Sequence, residues 1–191
     1  QAEAMLGRPV VPVFWMATED HDAAEIEHAT INGRTVRWSG ASNGAVGGMR
    51  LSGMAPVVEE AVAALGPGTH AEWVAGRLRA AYADGRTLAE ATRQFVHDLF
   101  GHYGLVIVDG DDPALKRLFV PVMEQEVLHQ VVQRTVAYAD ERIGVRYNVQ
   151  AHAREINVFY LRPGHRSRIV LDGDGFQVLD GGPRWTADEL L

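Results

Sequence analysis

Val10-Val11-Pro12-Val13-Phe14-Trp15-Met16 is an apolar run of strand length, broken only by a proline, that leads into Glu19-Asp20-His21-Asp22. A strand apolar on both faces suits the interior of a parallel sheet. Pro12 cannot donate to a ladder, so it demands an edge position or a bulge. Residues 1–7 read as the tail of a helix, closed by Gly7 and released by Pro9. A second buried strand, Gly104 to Asp109, also ends on acids, with Asp111 and Asp112 following. Asp112-Pro113 then reads as an N-cap with proline at the first helical position.

Between these strands the pattern predicts a hairpin and helices. Asp22 to His28 has the length of a short helix. Thr30-Ile31 and Thr35-Val36-Arg37-Trp38 flank Asn32-Gly33, a dipeptide favoured in type I′ turns. Residues 39–55, rich in Gly, Ser, Ala and Met, show no period and read as an irregular connection with room for mobility. They match neither a Walker loop nor a GxGxxG fingerprint. Pro56 to Leu65 predicts a helix ending at Gly66. Thr69-His70-Ala71-Glu72 and Thr87-Leu88-Ala89-Glu90 both have the form of a capping box. The first box opens a helix whose apolar stripe runs through Trp73/Val74, Arg77/Leu78 and Ala81/Tyr82. The second opens one whose inner face carries Leu88, Ala91, Phe95 and Leu99.

The helical pattern from Ala114 to about Arg142 contains Pro121, where it must kink or split. Ile156–Leu161, Arg166–Leu171 and Phe176–Leu179 are separated by Pro163-Gly164 and Gly173-Asp174-Gly175, which predicts an antiparallel meander. Thr186 and Glu189 form a further capping box, and a helix beginning so near residue 191 suggests an internal part of a longer protein. The expectation is one mixed α/β domain over residues 1–191, with residues 30–100 as a hairpin-plus-helices insertion.

Composition narrows the function classes. Eighteen Lys and Arg against 25 Asp and Glu give a net charge of −7, which argues against nucleic acid or an anionic membrane as partner. With no cysteine there is no disulfide, thiolate nucleophile or Cys-ligated metal, and the chain fits a reducing cytoplasm. No apolar run has the length of a membrane-spanning helix. Residues 1–8, with Glu3 among them, lack the pattern of a signal peptide.

Glu19, Asp20, His21 and Asp22 together can hold a hard cation, position an amine or transfer protons. Alternatively Asp20 or Asp22 merely caps the next helix. His21 and His28, two helical turns apart, can share a face near Glu25, although HExxH spacing is absent and His28 reads as a packing or surface residue. If the two acidic-ended strands are neighbours, Asp109 faces the same crevice as His21; otherwise it belongs to a solvated turn. Arg154, Arg162, Arg166 and Arg168 suit carboxylate or phosphate, or form an exposed group with Arg166 and Arg168 on one face. A metal-dependent hydrolase with Glu19, His21 and Asp22 as ligands and a non-catalytic binding module both stay open on these residues.

Three blocks carry a resemblance. They are Pro12-Val-Phe-Trp-Met-Ala-Thr-Glu-Asp-His-Asp22, the run Phe100 to Arg117 (FGHYGLVIVDGDDPALKR), and Arg154 to Ile169 (REINVFYLRPGHRSRI). In order and spacing they resemble the bacillithiol-biosynthesis cysteine ligases, the BshC family, and they span most of the chain. The resemblance implies an α/β fold with a partial three-layer Rossmann-like core, a helical insertion and the C-terminal meander. It also implies a cytoplasmic ligase joining the carboxyl of cysteine to the amine of glucosaminyl-malate, with ATP activating the carboxyl and no metal assigned. His21 would stabilise charge on the activated carboxyl or its phosphate. Asp20 and Asp22 would orient His21 or receive the cysteine ammonium, with Glu19 in the same catalytic group. Asn157 and Arg168 would help close the pocket, and Asp109 would join them in substrate binding. Family members are longer, with a Gly-Gln-Gln loop before the region matching residue 1, and further Rossmann elements and a coiled-coil arm beyond residue 191.

Overall fold

β1 (Val13–Met16) and β4 (Val106–Asp109) lie side by side and parallel, in register from Val13 opposite Val106 to Met16 opposite Asp109. They are the two apolar runs that end in acids, so both acidic ends point the same way. β1 starts immediately after Pro12, whose carbonyl accepts from Val106 N at 3.0 Å. The proline therefore contributes its acceptor and is never asked for the N–H it lacks. Burial differs from the expectation of a fully enclosed strand: Met16 is 4% exposed, but Val13 is 58% and Trp15 52%. This sheet has two strands, and a two-stranded ribbon is too narrow to cover both faces of its own side chains.

These positions come from a computed structural model that describes residues 1–150 and 152–190. The chain forms two units, Gln1–Asp112 and Pro113–Leu191. In the first, α1 (Ala2–Leu6) ends at Gly7, whose φ of 63° lets its N–H reach Glu3 O. α2 (Ala23–Ile26) is short, and His28 is already the first residue of β2 (His28–Ile31). His21 and His28 therefore do not share a helical face, because the chain turns extended after Glu27. β2 pairs antiparallel with β3 (Arg34–Arg37). The two turn residues have φ of 47° at Asn32 and 80° at Gly33, as a type I′ turn requires.

α3 (Met54–Leu65), α4 (Ala71–Ala81) and α5 (Leu88–Phe100) follow. The capping box of α5 forms in both directions between Thr87 and Glu90. That of α4 does not: His70 is its N-cap, with no side-chain capping bond. Starting one residue later puts Glu72 at the second helical position instead of the third, out of reach of the reciprocal bond.

Residues 39–55 are irregular, yet they supply much of the core. Val46, Met49, Leu51 and Met54 are buried together with Trp38, Val58 and Ala91. The backbone is tied to the α4–α5 connection, with Leu51 N on Arg86 O at 2.8 Å and Leu88 N on Met49 O at 2.9 Å. Apolar residues without a period can still pack when neighbours satisfy the backbone, so the expected mobility gives way to a pinned segment.

The second unit opens with α6 (Pro113–His129) and α7 (Val131–Ile143). Pro121 lies inside α6, and the split comes instead at Gln130, which takes a left-handed φ of 51°. Glu126 accepts the Val132 N–H at 2.8 Å, satisfying a donor that the break exposes at the start of α7. β5 (Phe159–Arg162), β6 (His165–Asp172), β7 (Gly175–Val178) and β8 (Arg184–Thr186) form an antiparallel sheet in that order. The expected meander is present, extended by β8. Its core is Val127, Ile156, Ile169, Phe176 and Val178. α8 (Ala187–Leu190) is opened by Glu189, which accepts the Thr186 N–H at 2.9 Å. Leu191, the last residue of that predicted helix, lies outside the described residues. Among the described residues no helix is long and apolar enough to cross a membrane.

Candidate active site at the ends of two parallel strands

The last residue of β4 is tied to the first turn beyond β1. Thr18, 6% exposed, donates its hydroxyl to Asp109 Oδ1 and accepts the Asp111 N–H at 2.9 Å. The Asp111 N–H also reaches Asp109 Oδ1 at 3.1 Å, and Arg93 of α5 holds Asp109 Oδ2 at 2.9 Å. Both oxygens of Asp109 are thus engaged. On the other side, Thr18 O accepts Gly47 N at 2.9 Å and Asp20 O accepts Val46 N at 2.7 Å. A Cβ at Gly47 would stand 2.4 Å from Thr18 Cβ, so only glycine lets the two backbones approach this closely.

The turn pinned in this way carries the titratable cluster. Asp20 Oδ1 accepts the His21 backbone N–H at 2.7 Å and lies 3.1 Å from His21 Nδ1. That contact favours the tautomer with the proton on Nδ1 and fixes the ring. The His21 side chain is 55% exposed, open to a ligand. Asp22 is exposed at the N-cap of α2 and makes no side-chain capping bond, so helix capping does not account for it. Glu19 turns inward. Its Oε2 is buried and has no hydrogen-bond partner among the described residues, and its carboxylate lies against Gly110, where a Cβ would come within 2.1 Å.

Glu19, Asp20, His21, Asp22 and Asp109 therefore gather at the carboxyl ends of β1 and β4, the position where open α/β sheets bind ligands. Among the described residues no three His, Asp or Glu side chains form a metal-ligating group, so Glu19, His21 and Asp22 do not converge as a ligand set. A cavity of about 540 Å³ lies elsewhere in this unit, between the β2–β3 hairpin and α3 to α5. It is lined by apolar side chains such as Val36, Leu51 and Phe95, and no residue of the strand-end group lines it.

Asn157 and Arg168 belong to the second unit. Asn157 Nδ2 donates to Glu126 Oε1 at 2.9 Å and to Arg154 O at 3.0 Å, which uses both amide hydrogens and leaves the carbonyl as its acceptor. Arg168 stands opposite Phe159, and its buried Nη2 has no hydrogen-bond partner among the described residues. Arg166 lies with its guanidinium 3.8 Å from the centroid of the Phe159 ring, a cation–π contact that makes it more than a solvated surface charge. Thr18, Arg93, Gly110 and Glu126 escaped the sequence reading. Thr18 and Gly110 each adjoin a predicted strand end, the one signal that pointed toward them; Arg93 and Glu126 sit in helices with no mark of their partners.

Residues 1–191 match the family model described as the bacillithiol biosynthesis BshC N-terminal Rossmann-like domain. The chain belongs to the BshC family. It is 40% identical over 183 residues to a Cytophaga hutchinsonii protein, covering 94% of this chain and 33% of that protein. It is 38% identical over 181 residues to one from Flavobacterium johnsoniae, covering 95% and 34%. A Bacillus velezensis protein is 26% identical over 204 residues, covering 100% and 38%. All three carry the name "Putative cysteine ligase BshC". The chain spans about a third of the length of these BshC relatives. The parallel pair β1–β4, flanked by helices and followed by an antiparallel sheet, is accordingly part of a Rossmann-like α/β domain of the BshC family.

Proposed function

We propose that the ends of β1 and β4 form part of the active site of an ATP-dependent cysteine ligase that joins cysteine to glucosaminyl-malate. One observation carries this reading: in a BshC-family domain, Asp20 holds His21 in a fixed orientation at the carboxyl ends of two parallel strands. In such a reaction the glucosaminyl amine attacks the cysteine carboxyl carbon. A C–N bond forms, the C–O bond to the activating phosphate group breaks, and the amine loses a proton. ATP, when bound, supplies that leaving group.

The chain's own residues suit the remaining tasks. His21, positioned by Asp20, stabilises the charge that develops on the activated carboxyl or its phosphate. Glu19 and Asp22 meet the cysteine ammonium; a buried carboxylate oxygen without a donor is relieved when an N–H⁺ arrives. Asp109 supports substrate binding by holding the turn that faces these groups. In the second unit, Arg168 offers an unpaired guanidinium nitrogen, a donor suited to phosphate or carboxylate oxygen, and Asn157 offers an oriented carbonyl. The guanidinium donor fits the phosphate of ATP or the carboxylate of an acidic sugar conjugate, and the carbonyl can accept from an amine or hydroxyl. A cytoplasmic location goes with this reading, and the absence of cysteine from the chain is in keeping with it. The test is bacillithiol formation by the full-length protein carrying His21→Ala, expected to fall at least about a hundredfold if charge stabilisation by this group is lost. A variant as fast as wild type removes His21 from the mechanism.

A further inference from the structure

The acidic cluster is held in place by groups that do not themselves face a ligand. Thr18 is buried, and its single side-chain oxygen is shared between the ends of both strands, through Asp109 on one side and the Asp111 N–H on the other. Its carbonyl and that of Asp20 are the two backbone acceptors onto which Val46 and Gly47 dock. Arg93, reaching across from α5, fixes the second oxygen of Asp109. The insertion therefore touches the catalytic turn from two directions, by backbone from residues 46–47 and by charge from α5. A hydrophobic or merely space-filling residue at position 18 would keep the Asp111 N–H to Asp109 bond and the Arg93 contact but remove the hydroxyl that links both to the turn after β1.

We propose that Thr18 is a positioning residue for the Asp20–His21 pair, and that Arg93 couples the hairpin-plus-helices insertion to the same turn. This rests on the ligase reading for its catalytic consequence, but not for the geometry. The hydroxyl sets the separation between the turn after β1 and the turn after β4. The imidazole of His21 stands three residues further along a segment fixed at Thr18 O and Asp20 O, so a shift at Thr18 is transmitted to the ring. Displacements of this size matter because catalytic groups act within a narrow geometric tolerance.

The experiment compares Thr18→Val, which keeps shape and loses the hydroxyl, with Thr18→Ser, which keeps the hydroxyl. Both are made in the full-length protein, with isotope-labelled histidine so that the His21 ring resonance can be followed. His21→Gln identifies that resonance. Thr18→Val is expected to move it and Thr18→Ser to restore it. In turnover, Thr18→Val lowers kcat about tenfold with the KM for cysteine nearly unchanged, while Thr18→Ser recovers the rate. A folded Thr18→Val protein with an unmoved His21 resonance overturns the proposal. Should Thr18→Val fail to fold, Arg93→Gln decides, since Arg93 is exposed: a moved His21 resonance supports the coupling and an unmoved one overturns it. If the wild-type protein forms no bacillithiol, the ligase reading fails, and the resonance comparison still decides the positioning role.

Discussion

Glu126 and Asn157 are joined twice: Glu126 Oε1 accepts the Asn157 backbone N–H at 3.0 Å and its side-chain amide at 2.9 Å. The other carboxylate oxygen takes the Val132 N–H at 2.8 Å. At 5% exposure Glu126 is a buried acid whose acceptor sites meet three donors from two segments. It anchors the helix break at Gln130 to the segment leading into β5. Glu126→Ala leaves those donors buried and unmatched, and is expected to cost about 3 kcal/mol. Glu126→Gln keeps one acceptor but turns an N–H toward another donor, and should cost less. Denaturant titration of both variants checks the order.

Two glycines at the site answer differently to an added methyl group. At Gly47 the new Cβ meets Thr18 Cβ at 2.4 Å, and Thr18 is held by hydrogen bonds on every side. Gly47→Ala is expected to destabilise by about 2 kcal/mol through overpacking. At Gly110 the nearest atoms to the Cβ are those of the Glu19 carboxylate, the far end of a flexible side chain. Gly110→Ala should therefore leave stability within about 0.5 kcal/mol of wild type while displacing Glu19; if the proposed ligase function holds, calorimetry on the full-length protein should show weaker cysteine binding.

The capping box of α5 makes a pH-dependent contribution. The Thr87 backbone N–H, and after it the Thr87 side chain, hold the Glu90 carboxyl below its ordinary value of 4.5. A lowered folded-state pKa means that Glu90 stabilises the fold above about that value and loses its contribution as pH falls through the folded-state pKa. Thr87→Ala is expected to cost about 1 kcal/mol at neutral pH. Its penalty should shrink only in part in acid, because the variant keeps the Thr87 backbone N–H that is the larger hold on the Glu90 carboxyl. Unfolding curves at neutral and acid pH read the difference.

Tyr82 gives the opposite end of the pH scale. Burial pushes its hydroxyl above the ordinary 10.0, and the hydrogen bond with Thr92 offsets part of that rise. Because the folded state resists forming phenolate, the contribution is complete below about pH 10 and is lost as pH rises through the folded-state value. Ultraviolet titration should show one tyrosine ionising late, with alkaline unfolding close behind. Tyr82→Phe removes the late step.

Local chemistry was legible in the residues themselves. Asn32-Gly33 announced its turn because both positions need positive φ. Thr87 and Glu90 announced a helix start because the bonds involved span three residues. The meander showed in its turns, and Glu19 to Asp22 stood out because a polar run after an apolar strand has few structural explanations. Thr69-Glu72 misled for a related reason: the residues fit a capping box, but the helix begins one position later.

The sequence by itself determined the mixed α/β class, the family blocks, and the placing of an acidic cluster at the end of a strand. Tertiary structure alone decided which groups meet there. Thr18 and Asp109 are 91 positions apart, and Glu126 and Asn157 are 31 apart. Nothing local to either residue encodes such a bond, which exists only once two strands adopt a parallel register or a helix packs beside a sheet. The same holds for residues 39–55, whose burial depends on what surrounds them and not on any period of their own. Glu19-Asp20-His21-Asp22 supplies the candidate chemistry, and the hydroxyl of Thr18, marked in the chain only by its place beside a strand end, ties the turn that carries it to Asp109.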